Sequence, residues 1–223
     1  MKILTMLCLL ALVACAPPNT GVTNANKSNG TLPNVVDGVV VPEVPVEAIA
    51  TVGNRNFDQV MATMEAVTGV EGDTGVNARF TAVKAGLPTD NAISSFEFSR
   101  QGAYTELAAE FCYALVIDPG ARYATQRARV FANTNVLSTP TAVLSVAQRA
   151  VVADSILRNF WREKYTAGGA NATNAQAEIV NLLGKLITGE TGETMPPNNN
   201  STTRIALQGA CIAALSAAPV TLF

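Results

Sequence analysis

The sequence predicts an all-α fold, with a single domain of about six to eight helices over residues 52–223. Two observations predict it: apolar residues recur at helical spacing from about residue 54 onward, and residues that begin or end helices bound these segments. A composition of 48% hydrophobic and 14% charged residues supports one buried core in a chain of 223 residues. No repeat of solenoid period is visible.

The first predicted helix is the stretch "NFDQVMATMEAVTG", residues 56–69. Asn56 is suited to cap its start, because an asparagine side chain can accept a hydrogen bond from a free backbone N–H. Gly69 is suited to end it, since glycine adopts the left-handed conformation found after helices. The apolar face is predicted to consist of Phe57, Val60, Met61, Met64 and Val67.

Further helices are predicted along the rest of the chain. The first of these are a short helix in "VNARFTAVKAG", a turn and short helix in "LPTDNAISSF", and a long helix in "SRQGAYTELAAEFCYALVID". A short helix is then expected over residues 121–131, and the longest amphipathic helix over residues 141–161. A helix in "NAQAEIVNLLGKLI" is followed by a polar loop and by the last helix, "TRIALQGACIAALSAA", which Pro219 ends. The last helix is apolar on nearly every side and rich in small residues, so we expect it to be central and closely packed. About fourteen apolar residues are too few for a membrane span.

The first 51 residues have a different character. Residues 1–14 read as a signal peptide, because Lys2 precedes an apolar run, Ile3–Val13, of secretory length. Residues 15–51 read as a flexible linker, since residues 16–50 hold five of the eleven prolines and show no helical period. Within the linker, "VVDGVVVPEVPV" allows one short edge strand.

The end of the apolar run, Leu12-Val13-Ala14-Cys15, resembles the lipobox of bacterial lipoproteins. This resemblance implies that Cys15 is diacylated, becomes the new N-terminus and anchors the chain in a lipid bilayer. Two or three acyl chains anchor a protein stably without a transmembrane helix. Ala16 after the cysteine favours, by the same resemblance, the outer membrane of the bacterial envelope. The alternative is an ordinary cleaved signal with a cysteine there by chance.

The chain has no histidine, which excludes Ser-His-Asp and Cys-His nucleophiles, imidazole metal ligands and histidine-based pH switches. A net charge of −2 gives no general attraction to nucleic acid.

The middle of the chain is locally basic, because it holds six arginines (residues 122, 127, 129, 149, 158 and 162). They form either solvated helix faces or a surface for an anionic polymer. Asp154 and Arg158 are spaced to pair on one helix.

Glu106 and Glu110 are the only candidates for catalysis. Four residues apart on a predicted helix, they are expected on one face beside Tyr104 and Arg100. Paired carboxylates can divide acid and base roles in glycoside cleavage, but such a pair is more often a solvated face. The acidic segments at 71–75 and 189–193 do not match a calcium loop. No metal and no cofactor is therefore expected.

Cys112 and Cys211 remain after Cys8, which lies in the signal, and Cys15 are set aside. An exported protein meets an oxidising compartment, so we expect these two cysteines to form a disulfide. The bond would tie the last helix to the N-terminal half of the domain. The alternative is two buried free thiols that pack as small hydrophobic groups.

Four phrases together resemble the helical segment that accompanies LamG-type jellyroll domains in proteobacterial surface proteins. They are "NFDQVMATMEAVTGV", "LPTDNAISSF", "RQGAYTELAAEFCYAL" and "GACIAALSAAPVTL", spread over residues 56–117 and 203–222. The resemblance implies a helical fold and pairing of Cys112 with Cys211, and it implies no activity. This chain departs from the pattern at Arg100, where those proteins often carry histidine.

These observations lead to two functional hypotheses. The first is a membrane-anchored, non-enzymatic envelope lipoprotein whose helical domain binds or scaffolds another envelope protein or a glycan. The second is a peptidoglycan- or glycan-active enzyme that uses Glu106 and Glu110. They differ in one structural expectation, because the enzyme needs both carboxylates to converge in a cleft.

Overall fold

The computed structural model describes residues 35–36, 39–40, 55–87, 98–116, 120–166, 169–190 and 194–221. The chain divides into two compact units, Met1–Ile49 and Ala50–Phe223. The predicted signal peptide, Cys15 and most of the predicted linker lie outside the described residues, as does the short helix predicted in "LPTDNAISSF" apart from its first residue.

The first unit contains two short strands, β1 (Val35–Val36) and β2 (Val39–Val40). They pair antiparallel, with Val35 opposite Val40 and Val36 opposite Val39. One edge strand was expected here, and the pairing of two strands was not. The signal was available, because an Asp-Gly dipeptide between two apolar runs is typical of a two-residue hairpin.

The second unit confirms the all-α prediction and the single helical domain. Among the described residues it has seven α-helices of seven or more residues and two of four residues. They are α1 Phe57–Thr68, α2 Thr74–Lys84, α3 Phe98–Val116, α4 Ala124–Val130, α5 Pro140–Val143, α6 Val146–Trp161, α7 Ala170–Thr188, α8 Asn200–Leu215 and α9 Ala218–Thr221. Short 3₁₀ turns precede α4, at Ala121–Tyr123, and follow α6, at Arg162–Lys164.

Helix α1 agrees with its prediction at both ends and along its length. The Asn56 side chain accepts a hydrogen bond from the Gln59 N–H, and the Gln59 side chain accepts one from the Asn56 N–H, which forms a capping box. Gly69 ends the helix in the left-handed conformation, with φ of 73°, and donates its N–H to Glu65 O. All five predicted apolar-face residues are buried.

The prediction of one long helix over residues 141–161 is wrong. A short helix, α5, ends before Leu144, and Ser145 then caps α6 in a capping box with Gln148. The apolar period continues across Ser145 and hides the break, although Ser-x-x-Gln is itself a start signal. Among the helices in the described part of the chain, α3 and α7 are the longest, with 19 residues each.

Helix α8 is central to the core, as predicted. It begins earlier than expected because Asn199 caps it, and it ends at Leu215, before Pro219. Nine of its residues are buried, and it packs against α3 and α7. Small residues permit this approach: a Cβ on Gly209 would lie 2.7 Å from Leu186 Cδ1 of α7.

Among the helices that the structure describes, none combines the length and the apolar character required to cross a membrane.

Candidate functional site

The structure brings Cys112 of α3 and Cys211 of α8 together. Their Cα atoms are 5.8 Å apart and their sulfur atoms lie at disulfide-bonding distance, which falls within the usual geometry of a disulfide. Both side chains are fully buried. The pair therefore connects the central helix to the N-terminal half of the helical body across 99 residues of sequence.

Glu106 and Glu110 share one face of α3, but that face meets α2 rather than a cleft. Arg79 of α2 lies between them, with its guanidinium nitrogens 3.7 Å from Glu106 Oε2 and 3.4 Å from Glu110 Oε1. The Glu106 side chain is 58% exposed. The two carboxylates thus form surface ion pairs, which contribute little to stability in water.

The expected neighbours of these carboxylates lie elsewhere. Arg100 and Tyr104 are both buried, and the Tyr104 hydroxyl donates a hydrogen bond to Arg55 O at 3.0 Å. The placement of Tyr104 beside Glu106 was wrong, because residues two apart on a helix point about 200° apart around its axis.

Asp73, in the acidic segment 71–75, is fully engaged by the protein itself. Its Oδ1 accepts hydrogen bonds from the N–H groups of Gly75 and Val76 and so caps α2. Its Oδ2 accepts the Tyr123 hydroxyl at 3.1 Å and pairs with Arg122 at 3.2 Å. Burial, followed by this contact with Asp73, raises the pKa of Tyr123. Across the described residues, no group of three or more acidic or cysteine side chains is placed to hold a metal ion.

A second aspartate forms a similar cluster at the end of α6. Asp154 Oδ2 accepts a hydrogen bond from Arg158 Nε at 2.6 Å, and its Oδ1 accepts the Tyr165 hydroxyl at 2.8 Å. The predicted Asp154–Arg158 pair is therefore confirmed. The hydrogen bond from Arg158 lowers the pKa of Asp154, and the bond from Tyr165 acts in the same direction. Burial, followed by the hydrogen bond to Asp154, raises the pKa of Tyr165.

Several of the central arginines serve helix ends. Arg129 donates to Val67 O at 2.9 Å, and Arg162 donates to Ala66 O at 2.6 Å. Both carbonyls belong to the last turn of α1, which has no basic residue of its own there. A cation at a helix C-terminus satisfies free carbonyls and complements the helix dipole.

The same use recurs at two other helix ends. Arg127, although buried, donates to Leu115 O near the end of α3 at 2.8 Å and to Gly120 O at 2.7 Å. Arg149 donates to Leu144 O, just after α5, at 2.9 Å. Sequence reasoning missed this role, and much of the basic middle stabilises the fold rather than forming a free cationic surface.

One surface segment combines an unusual backbone with open cavities. Ala132 and Asn133, which follow α4, have φ values of 51° and 59°, and Asn133 N–H donates to Ala128 O at 2.8 Å. This bond is the one that closes a Schellman motif, in which glycine usually occupies the position of Ala132. No glycine marks this turn in the sequence, so the usual signal for a left-handed helix end is missing.

Two cavities, of about 210 and 270 Å³, flank this turn and share Asn133, Thr134 and Asn135. We call the cavities and their lining residues the 133–135 surface. The smaller cavity is completed by Ala124, Arg127, Ala128, Val136 and Leu137. The larger is completed by Ala132, Val143, Gln148, Val151 and Val152.

Comparison with known proteins gives no match: no family model, curated protein or solved structure corresponds to this chain.

Proposed function

We propose that this protein is a bacterial envelope lipoprotein, anchored through acyl chains on Cys15, whose helical domain is a non-enzymatic binding module. The lipobox-like residues before Cys15 support the anchor, and Ala16 supports the outer membrane as its destination. Two or three acyl chains suffice for stable attachment. The proline-rich residues 15–51 would link the acylated cysteine to the helical domain.

The observation that carries this proposal is the buried pair of Cys112 and Cys211. Cytosolic thiols are kept reduced, whereas exported proteins meet oxidants, so a buried cysteine pair at bonding distance favours an exported chain. We propose that the bond is formed in the mature protein. Closing a loop of about 100 residues contributes up to about 4.7 kcal/mol on the chain-entropy account.

A non-enzymatic role fits the described residues better than the glycan-cleaving alternative. A glycosidase places one carboxyl group where its pKa is raised and another across the scissile bond. Here the Glu106 side chain is 58% exposed and the Glu110 side chain 28% exposed, and both pair with Arg79 on the neighbouring helix. Two carboxylates on one helix face that share a counter-ion are not placed on opposite sides of a bound substrate, as glycoside cleavage requires.

Fractionation of cells that produce Cys15→Ser tests the anchor. We expect wild-type protein in the membrane fraction with acyl chains detectable by metabolic labelling, and loss of both label and attachment in the variant. Cys8→Ser is the matched control, because Cys8 lies within the predicted signal and should be removed with it. Retention of Cys15→Ser in the membrane fraction would refute the proposed anchor.

Thiol titration of the unfolded protein tests the disulfide separately. The acylated mature chain should expose no free thiol before reduction and two after it, from Cys112 and Cys211. Two free thiols before reduction would show that the pair packs without bonding.

A further inference from the structure

We propose that the 133–135 surface binds a neutral, N-acetylated glycan; this inference rests on the proposed function as an envelope-anchored binding module. The observation behind it is that two cavities lie on one turn. Asn133 and Asn135 in the middle of this turn are exposed, whereas Phe131 and Val136 at its ends are buried.

The charge of the lining argues for a neutral ligand. The described residues that line the two cavities include no carboxylate, and those that line the larger one include no charged residue of either sign. Arg127 lines the smaller cavity, but its guanidinium donates to Leu115 O and Gly120 O. An ionic ligand would lose its hydration without gaining a counter-charge, which is unfavourable.

The chemistry of the lining argues for the acetamido group in particular. Amide and hydroxyl side chains from Asn133, Thr134 and Asn135 stand beside the aliphatic side chains of Val143 and Val151. An N-acetylated sugar offers an amide that can pair with such polar groups and a methyl group that can contact the valines. Val151 is 58% exposed, so its apolar surface is available to a ligand.

The size and arrangement of the cavities argue for a polymer of small units. At about 210 and 270 Å³, each lies below the usual range for drug-sized ligands, roughly 300–1,000 Å³. Two small cavities that share three residues suit neighbouring units of one chain. A peptide partner is less favoured. Peptide grooves commonly use aromatic side chains or an open sheet edge, and neither is found among the described residues that line these cavities.

The backbone of the turn adds independent support. Ala132 holds a left-handed conformation without being glycine, and such strained positions concentrate at ligand sites, where the surrounding structure maintains them. The end of α4, just before the turn, is held by α6, because Ser155 and Asn159 both donate hydrogen bonds to Arg129 O. The surface is therefore built before any ligand arrives.

Calorimetric titration of the purified full chain in mild detergent tests the proposal. The probe is a tetramer of N-acetylglucosamine, and the control probe is a glucose tetramer with the same linkage, which carries hydroxyl groups in place of the acetamido groups. We expect binding of the first and at least tenfold weaker binding of the second. Asn133→Asp and Val151→Glu should each weaken binding about tenfold or more, because each places a negative charge at the cavities.

Asn77→Asp on α2 is the matched control variant, because it makes the same chemical change on an exposed helix that lines neither cavity. Its affinity should equal that of the wild type, and thermal melting should show that all three variants fold. Three results would overturn the proposal. They are no binding at about 10 mM tetramer, equal binding of both tetramers, and equal weakening in Asn77→Asp.

The same experiment separates this proposal from the one it rests on. If Cys15→Ser is released from the membrane but the tetramer does not bind, the anchor stands and the glycan assignment is refuted. If the tetramer binds but Cys15→Ser stays attached, the assignment stands and the anchor is refuted. A crosslinker placed at Val151 that captures a protein in intact cells, with no tetramer binding in solution, would replace the glycan with a protein partner.

Discussion

Removing the side chain of Ala132 should stabilise the protein. Ala132 occupies the left-handed region with φ of 51°, and this conformation costs an L-residue roughly 1–2 kcal/mol because its Cβ approaches the following carbonyl oxygen. Ala132→Gly removes that cost. Glycine also gains freedom in the unfolded chain, which offsets about 0.4–1 kcal/mol of the benefit.

The net expectation is a gain of about 0.5–1 kcal/mol in the free energy of unfolding, or roughly 1–4 °C in Tm for a domain of this size. The loss of buried area is small, because Ala132 is only half-buried.

Gly69→Ala provides the opposite change at a comparable helix end. There φ is 73° and the new Cβ would lie 2.8 Å from Gln126 Cγ, so we expect destabilisation of at least about 1 kcal/mol.

Urea unfolding followed by circular dichroism measures both variants under the same conditions. Relative to wild type, we expect a higher urea midpoint for Ala132→Gly and a lower urea midpoint for Gly69→Ala. A lower midpoint for Ala132→Gly would mean that its left-handed backbone is not strained, and this turn would then give no support to the proposed ligand site.

Three further predictions concern the contacts that hold the body together. Replacing Cys112 and Cys211 together with alanine should lower the free energy of unfolding by about 2–5 kcal/mol, measured against wild type with and without reductant; no change would contradict a formed bond. Because the pKa of Asp154 is lowered in the fold, its contribution is present above its ordinary pKa of 3.8 and is lost as the pH falls through the lower folded value. Asp154→Asn should therefore be less stable than wild type at neutral pH, and the difference should shrink below pH 3.8, which urea midpoints across that range measure. Arg127→Lys should cost about 1–3 kcal/mol, since one ammonium cannot reproduce the two carbonyl contacts of a buried guanidinium, and an unchanged Tm would contradict that role.

The elements that sequence reasoning found are those whose signals are local. Helix α1 could be predicted end to end because Asn56, Gly69 and the apolar positions between them all lie within 14 residues. The break before α6 was missed although its signal is local, because the apolar period across Ser145 was weighed above the capping box formed with Gln148. A helix-capping sequence within a stretch of helically spaced apolar residues is therefore evidence that two helices meet there.

The parts that could not be predicted depend on contacts between distant residues. Arg162 and the Ala66 carbonyl that it serves are 96 residues apart, so no spacing in the sequence connects them. The missing cation at the end of α1 is a local sign that some donor must arrive from elsewhere, but it does not say which arginine supplies it. The 133–135 surface is hidden for the same reason, since α5, α6 and the turn after α4 build it together.

The way the turn after α4 is held explains why its exposed residues can act as a binding surface. Buried Phe131 and Val136 anchor its two ends, and two donors from α6 fix Arg129 O just before it. Between these anchors the Asn135 side-chain oxygen accepts the Leu137 N–H at 3.0 Å. This bond uses the amide oxygen, so the amide nitrogen can still donate to a ligand. A turn anchored in this way would lose little conformational entropy on binding, which favours the proposed binding of a polymer at shallow cavities.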